Sequence, residues 1–208
     1  MNKEPSIVIL ANGLFPARPQ SLELLKGADQ LICCDGAADK LIRFGLSPDV
    51  IIGDLDSLSG EASAKYASIL IKDTDQECND LTKAVRYCIG QGFPSVSILG
   101  ATGLREDHTL GNISLMLEYF PGIEVQMISD FGIFFPVQSG EQVRSRPGEK
   151  ISIFSMDNRV GVTASGLKYP LSDLKLSKWY VASLNEAIAD HFILEFASDL
   201  PLIIYKAW

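Results

Sequence analysis

The sequence predicts an α/β domain, a mainly parallel sheet with helices on both faces, followed by an all-β sandwich domain; three observations carry that expectation. Short apolar runs alternate with helical patterns through the first two thirds of the chain. Those runs lack polar alternation, the mark of strands buried on both faces. After about Asp130 helical periodicity gives way to short strands punctuated by Gly, Pro, Ser and Asn. The expected division is residues 1–130 and 131–208.

In chain order, the first part offers strands at SIVIL (Ser6 to Leu10), QLICC (Gln30 to Cys34), DVIIG (Asp49 to Gly53), ASILI (Ala67 to Ile71), SVSIL (Ser95 to Leu99) and EVQMIS (Glu124 to Ser129). Helical patterns fill the intervals near Gln20 to Leu25, Ala37 to Phe44, Glu61 to Tyr66, Leu81 to Gly90 and Thr109 to Tyr119. In the Leu81 helix the apolar positions include Leu81, Ala84, Val85 and Cys88. Beyond Asp130 the strands are GIFFPV, EKISIFSM, VGVTAS, HFILEFA and PLIIYKAW.

With 208 residues, 47% hydrophobic and 21% charged, the chain has ordinary globular composition. No apolar run approaches the ~20 residues of a membrane helix, and the apolar part of MNKEPSIVILANG is too short for a signal peptide. The expectation is a soluble, cytoplasmic protein with no membrane partner. Four cysteines, Cys33, Cys34, Cys78 and Cys88, show no C-x-x-C spacing, and only two histidines exist to join a metal site. Reduced thiols follow. A net charge of -8 argues against nucleic acid as a partner, so bound small phosphates would need metal ions to offset repulsion.

Polar residues recur after the strands: Asn12, then Asp35 and Gly36, then Asp54 and Asp56, then Asp73 and Asp75, then GATGLREDH. In an open α/β sheet the ligand crevice lies outside the carboxyl ends of the strands, so these loops face one site. Alternation in extended backbone would send Asp54 and Asp56 to one side and Leu55 to the other. Turn formation alone would explain either acid. Two repelling carboxylates with oxygen-only neighbours instead fit Mg²⁺, which fills its shell with water and substrate phosphates, and imply a nucleoside triphosphate. Asp80 opens a helix, where it is either a cap or a third metal ligand. Lys83 is then either its ion-pair partner or a charge for phosphate. The segment Leu99 to Asn112 is a strand, a glycine loop and a helix start, able to face an anion, yet it is neither a Walker loop nor a dinucleotide fingerprint. Arg105 is its natural phosphate ligand; Asp107 also reads as a helix cap and His108 as a structural histidine.

In their order, CDGAADKL (Cys34 to Leu41), PDVIIGDLDS (Pro48 to Ser57), DQECNDLTKA (Asp75 to Ala84) and GATGLREDHTLGN (Gly100 to Asn112) resemble the thiamine pyrophosphokinase family, with a fainter echo in GLKYPL and SLNE. The resemblance implies an α/β nucleotide-binding catalytic domain, a β-sandwich that binds thiamine and dimerises, and a homodimer with active sites between subunits. It implies transfer of the pyrophosphoryl group of ATP to thiamine, with Mg²⁺, releasing AMP. By motif, Asp54, Asp56 and Asp80 would hold metal, with Asp35 supporting them and Lys83 beside them. Gly100, Thr102, Arg105, Asp107 and His108 would shape the nucleotide pocket; Gln76, Ser183 and Asn185 would meet thiamine. Three positions depart from the family pattern: Asn79 stands in place of Thr, Leu104 in place of a second Gly, and Leu184 in place of the Ser of a Ser-Asn pair. A non-catalytic nucleotide or thiamine sensor, a metal-dependent phosphohydrolase and a nicotinamide oxidoreductase remain as rival readings, the last opposed by the missing glycine fingerprint.

Overall fold

The computed structural model describes residues 5–208. The chain forms two compact units, one ending at Asp130 and one running from Phe131 to Trp208.

The first unit is a six-stranded parallel sheet. Its strands are β1 (Ile7–Leu10), β2 (Gln30–Cys34), β3 (Val50–Gly53), β4 (Leu70–Lys72), β5 (Ser95–Leu99) and β6 (Glu124–Ser129), in the order β6-β5-β1-β2-β3-β4. Helices α1 (Pro19–Lys26), α2 (Ala37–Phe44), α3 (Gly60–Lys65), α4 (Asp80–Gly90) and α5 (Glu106–Tyr119) connect them. All of β1 is buried, and so are Leu31 to Cys34 and Val96 to Leu99. A strand covered on both faces has no polar side, which is why these read as unbroken apolar runs. The strand order reverses at β1, which lies between β2 and β5. That reversal opens a crevice at the carboxyl ends of β1, β2 and β5.

Two elements differ from expectation. The run Ala67 to Ile71 is not one strand: Ala67–Ile69 form a 3-10 turn and only Leu70–Lys72 pair with β3. As the edge strand it has only one neighbour among the described residues, and Ile71 is left exposed. Helix α5 starts at Glu106, before the expected Thr109, with Glu106 and Asp107 in its first turn. Acidic residues there complement the positive end of the helix.

The second unit is the expected sandwich of antiparallel strands. One sheet contains β12 (Ala182–Glu186), β9 (Lys150–Phe154), β14 (Leu202–Ala207) and β7 (Gly132–Val137). The other contains β11 (Leu171–Lys175), β10 (Gly161–Ser165), β13 (His191–Phe196) and β8 (Gln142–Arg144). Both sheets feed one core, in which Ile151, Ile153 and Ile204 meet Val162, Phe192 and Leu194. The sequence reading does not anticipate β8, β11 or β12, which are short and half polar.

Candidate active site

Three carboxylates gather at the ends of β2 and β3. One oxygen from each of Asp35, Asp54 and Asp56 lies within 4.8 Å of the others. They do not converge by strand alternation, because β3 stops at Gly53. Instead Leu55 adopts left-handed backbone, φ +68°, and Asp56 N–H donates to Asp54 Oδ1 at 3.3 Å. A turn thus folds the second acid back over the first. Asp35 is also left-handed, φ +39°, and buried. Its Oδ2 accepts the Ser57 N–H at 3.0 Å, while its buried Oδ1 has no partner among the described residues. Gly53 allows this closeness: a Cβ there would meet Asp35 Cβ at 2.9 Å and Asp80 Oδ1 at 3.2 Å.

The electrostatics follow from these positions. Burial raises the Asp35 carboxyl above the usual range, opposed by the Ser57 N–H and reinforced by the charges of Asp80, Asp54 and Asp56. Asp54 is lowered, first by the Asp56 N–H and also by a hydrogen bond from the Gln76 side chain. Three grouped carboxylates, one of them with a buried oxygen that lacks a donor, form an oxygen-only donor set that suits a hard divalent cation. The residues present therefore fit a metal ion.

Asp80 and Lys83 form an ion pair, one of the two alternatives the sequence offers for them. Asp80 is outside the three-acid cluster, and its Oδ1 binds Lys83 Nζ at 3.0 Å. Lys83 is only 4% exposed and is engaged by the Asp80 carboxylate. Burial would depress its pKa, but the hydrogen bond and charge of Asp80, with Asp73 and Asp54, raise it instead. The shared proximity of Asp35 and Asp80 to Gly53 keeps this pair at the border of the cluster.

Beside the acids a cleft of about 380 Å³ is lined by Asn12, Gly13, Asp80, Gly100, Thr102, Leu104, Arg105 and His108, among others. Gly100 and Gly103, φ +68° and +91°, provide the bend of the glycine loop. The loop is tied to the acidic edge by side chains. Asn79 caps α4 by accepting the Thr82 N–H at 2.9 Å, its Nδ2 donates to Asn112 Oδ1 at 3.1 Å, and Asn112 Nδ2 donates to Ala101 O at 2.8 Å. An Asn at position 79 therefore both caps and bridges, a link the sequence reading misses because its partner lies 33 residues away. Arg105 is exposed and paired with Asp107 through both carboxylate oxygens. That pairing holds the Asp107 carboxyl down at about 2. Asp107 also accepts the His108 N–H, and His108 is exposed at the cleft.

In the second unit, Ser183 Oγ donates to Tyr180 O at 2.8 Å. Asn185 is 3% exposed. Its Oδ1 accepts from the N–H groups of Tyr169 and Glu186, at 3.1 and 2.8 Å, and its Nδ2 donates to Tyr169 O at 2.8 Å. The side chain expected to meet thiamine is thus committed to the backbone of its own unit. Leu184, in the position of the missing serine, is left-handed and 75% exposed, at a register shift between β12 and β9.

The sequence model described as thiamin pyrophosphokinase, catalytic domain, matches residues 22–127, and that described as thiamin pyrophosphokinase, substrate-binding domain, matches 132–205. The chain belongs to the thiamine pyrophosphokinase family. Family members include thiamine pyrophosphokinase 1 of Oryza sativa subsp. japonica, 27% identical over 83% of this chain and 76% of that protein. Thiamin pyrophosphokinase 1 of Caenorhabditis elegans is 26% identical over 94% of this chain and 87% of its own length. Among solved structures, a thiamin pyrophosphokinase family protein from Enterococcus faecalis superposes with a TM-score of 0.80 at 20% identity, covering 98% of this chain and 99% of that one. Yeast thiamin pyrophosphokinase gives a TM-score of 0.79 at 19% identity, covering 100% and 88%. These superpositions establish the family's fold here.

Proposed function

We infer that this chain is a thiamine pyrophosphokinase, transferring the pyrophosphoryl group of ATP to the hydroxyl of thiamine and releasing AMP. The observation that carries this beyond family membership is the grouping of Asp54 and Asp56 with Asp35, whose buried Oδ1 has no partner among the described residues, close to Asp80 at the cleft. A Mg²⁺ ion held by Asp35, Asp54 and Asp56, with Asp80 at its border, would neutralise phosphate charge and help orient the triphosphate.

The chain's own groups account for the rest. The glycine loop, with Gly100 and Thr102, and the flanking Arg105, Asp107 and His108 form the nucleotide side of the cleft. Lys83 steadies the Asp80 carboxylate, and Gln76 orients Asp54. No side chain stands out as a general base, in keeping with a transfer that relies on positioning and charge stabilisation more than on covalent help. Residues 1–130 constitute the nucleotide-binding catalytic domain. Residues 131–208 bind thiamine and pair with a second copy, giving a homodimer. In that unit Ser183 and Asn185 support the thiamine surface, Asn185 by holding backbone. The free cysteines suit a reducing cytoplasm.

The deciding experiment incubates the protein with ATP, Mg²⁺ and thiamine and identifies the released nucleotide. Equal amounts of AMP and thiamine diphosphate, lost on chelation, are expected. ADP would indicate another kinase, thiamine-independent phosphate release a hydrolase, and binding without turnover a sensor. Light scattering tests the dimer, and a fully active monomer at micromolar concentration refutes it.

A further inference from the structure

The turn after β1 lies against the glycine loop, and one side chain secures it from α2. Gly13 N–H donates to Gly100 O at 2.6 Å and Leu14 N–H to Thr102 O at 2.9 Å. The fit leaves no slack, since a Cβ on Gly13 would come within 2.4 Å of Gly100 O. Lys40 then grips the turn: its Nζ donates to Asn12 O at 2.8 Å and to Gly13 O at 2.7 Å.

An ammonium commonly meets a carboxylate at a surface, but among the described residues Lys40 forms no ion pair. Its charge goes to two successive backbone carbonyls. The group is half-buried, and burial, followed by the charge of Arg43, lowers its pKa. Holding a desolvated cation on neutral acceptors is worthwhile where backbone placement matters, because charge-assisted hydrogen bonds are stronger and shorter than neutral ones. Helix α2 begins two residues after Asp35. The Lys40 contact therefore joins the element that follows an acid of the metal cluster to the turn that backs the nucleotide loop.

We propose that Lys40 is a positioning residue for nucleotide binding, acting through the Asn12 and Gly13 carbonyls to hold the glycine loop in its binding shape. The proposal rests on the ATP-dependent reading above. It is tested with Lys40→Met, which keeps the stem and loses the charge, and Lys40→Arg, which keeps donors. In Lys40→Met the KM for ATP should rise about tenfold, with kcat and the KM for thiamine changing by less than threefold; Lys40→Arg should recover most of the loss. Hydrogen exchange at the Gly13 and Leu14 amides should also accelerate about tenfold in Lys40→Met, with the amides of β1 unchanged. Unchanged exchange or an unchanged KM for ATP overturns the proposal. So does an equal rise in both KM values, or exchange that quickens throughout the unit, either of which marks a general structural role. The exchange measurement needs no turnover, so it still decides whether Lys40 holds the turn if the wild-type protein makes no thiamine diphosphate.

Discussion

Replacing Asp35 with Asn should make the metal-free protein more stable and the enzyme nearly inactive. The native side chain buries one carboxylate oxygen with a donor and one without. Leaving a buried polar atom unsatisfied costs about 1–3 kcal/mol, and the open crevice beside it argues for the lower part of that range. Asn keeps an oxygen for the Ser57 N–H, puts a neutral N–H₂ in place of the partnerless oxygen, and tolerates the left-handed backbone at this position better than other residues with a Cβ. A gain of about 1–2 kcal/mol should raise the melting temperature of the first unit by roughly 4–8 °C. The pH dependence has a definite sign. Because the folded state raises the Asp35 pKa, it binds that proton more tightly than the unfolded chain does. Stability is therefore lost as pH rises from the ordinary carboxyl range through the raised value, a loss that Asp35→Asn removes. The assay is thermal melting across pH, in EDTA and again with Mg²⁺ and ATP, alongside turnover. The wild type should gain stability from Mg²⁺ and ATP, by about 2.7 kcal/mol at a hundredfold excess over Kd, and the variant should gain little. A lower melting point in EDTA, or an undiminished gain with Mg²⁺ and ATP, would refute the reasoning.

Other perturbations probe separate contacts. Lys83→Met strands Asp80 without its buried partner; since Asp80 keeps about a third of its side chain exposed, the loss of stability should be about 2 kcal/mol, below that of a fully buried pair, with turnover falling about a hundredfold. Denaturant melts and steady-state kinetics check both numbers. The Asp107 carboxyl should titrate at about 2, return towards 3.8 in Arg105→Ala, and rise in concentrated salt, as followed by NMR. Because its folded pKa is depressed, any stability from this pair is present above the unfolded value near 3.8 and disappears as pH falls towards 2. Asn185→Ala should weaken the second unit by about 2–3 kcal/mol through the loss of hydrogen bonds to Tyr169 and Glu186, and should raise the KM for thiamine more than that for ATP. Equal KM effects would remove Asn185 from the thiamine surface.

The parallel strands were the easiest elements to read, because burial on both faces writes itself into composition: QLICC and SVSIL coincide with β2 and β5 residue for residue. The edge strand β4 was harder, since among the described residues it pairs on one side only and three of the five residues of ASILI form a 3-10 turn. Strands β8, β11 and β12 carry too few apolar positions to reveal a period. At the site, the acids were visible by type and spacing, but their grouping was not. Strand alternation suggested the right pair for the wrong reason, as the left-handed Leu55 does the folding. The engagement of Lys83 with Asp80 is one of two alternatives the sequence offers, and only the folded positions show the pair formed. Lys40 left no signature, because its partners are main-chain carbonyls, which every residue possesses.

The two left-handed residues of the acidic cluster, Asp35 itself and Leu55 between Asp54 and Asp56, have a thermodynamic consequence for recognition. Non-glycine residues in such backbone cost about 1–2 kcal/mol each, and they persist only where the surrounding fold enforces them. The carboxylates are thus arranged when the chain folds, before any cation arrives, so association need not also order the loop. Capture of the ion should then lose little conformational entropy, and its affinity should depend more on dehydration and charge than on rearrangement. A glycine at position 55 would relieve the backbone and return that ordering to the binding step.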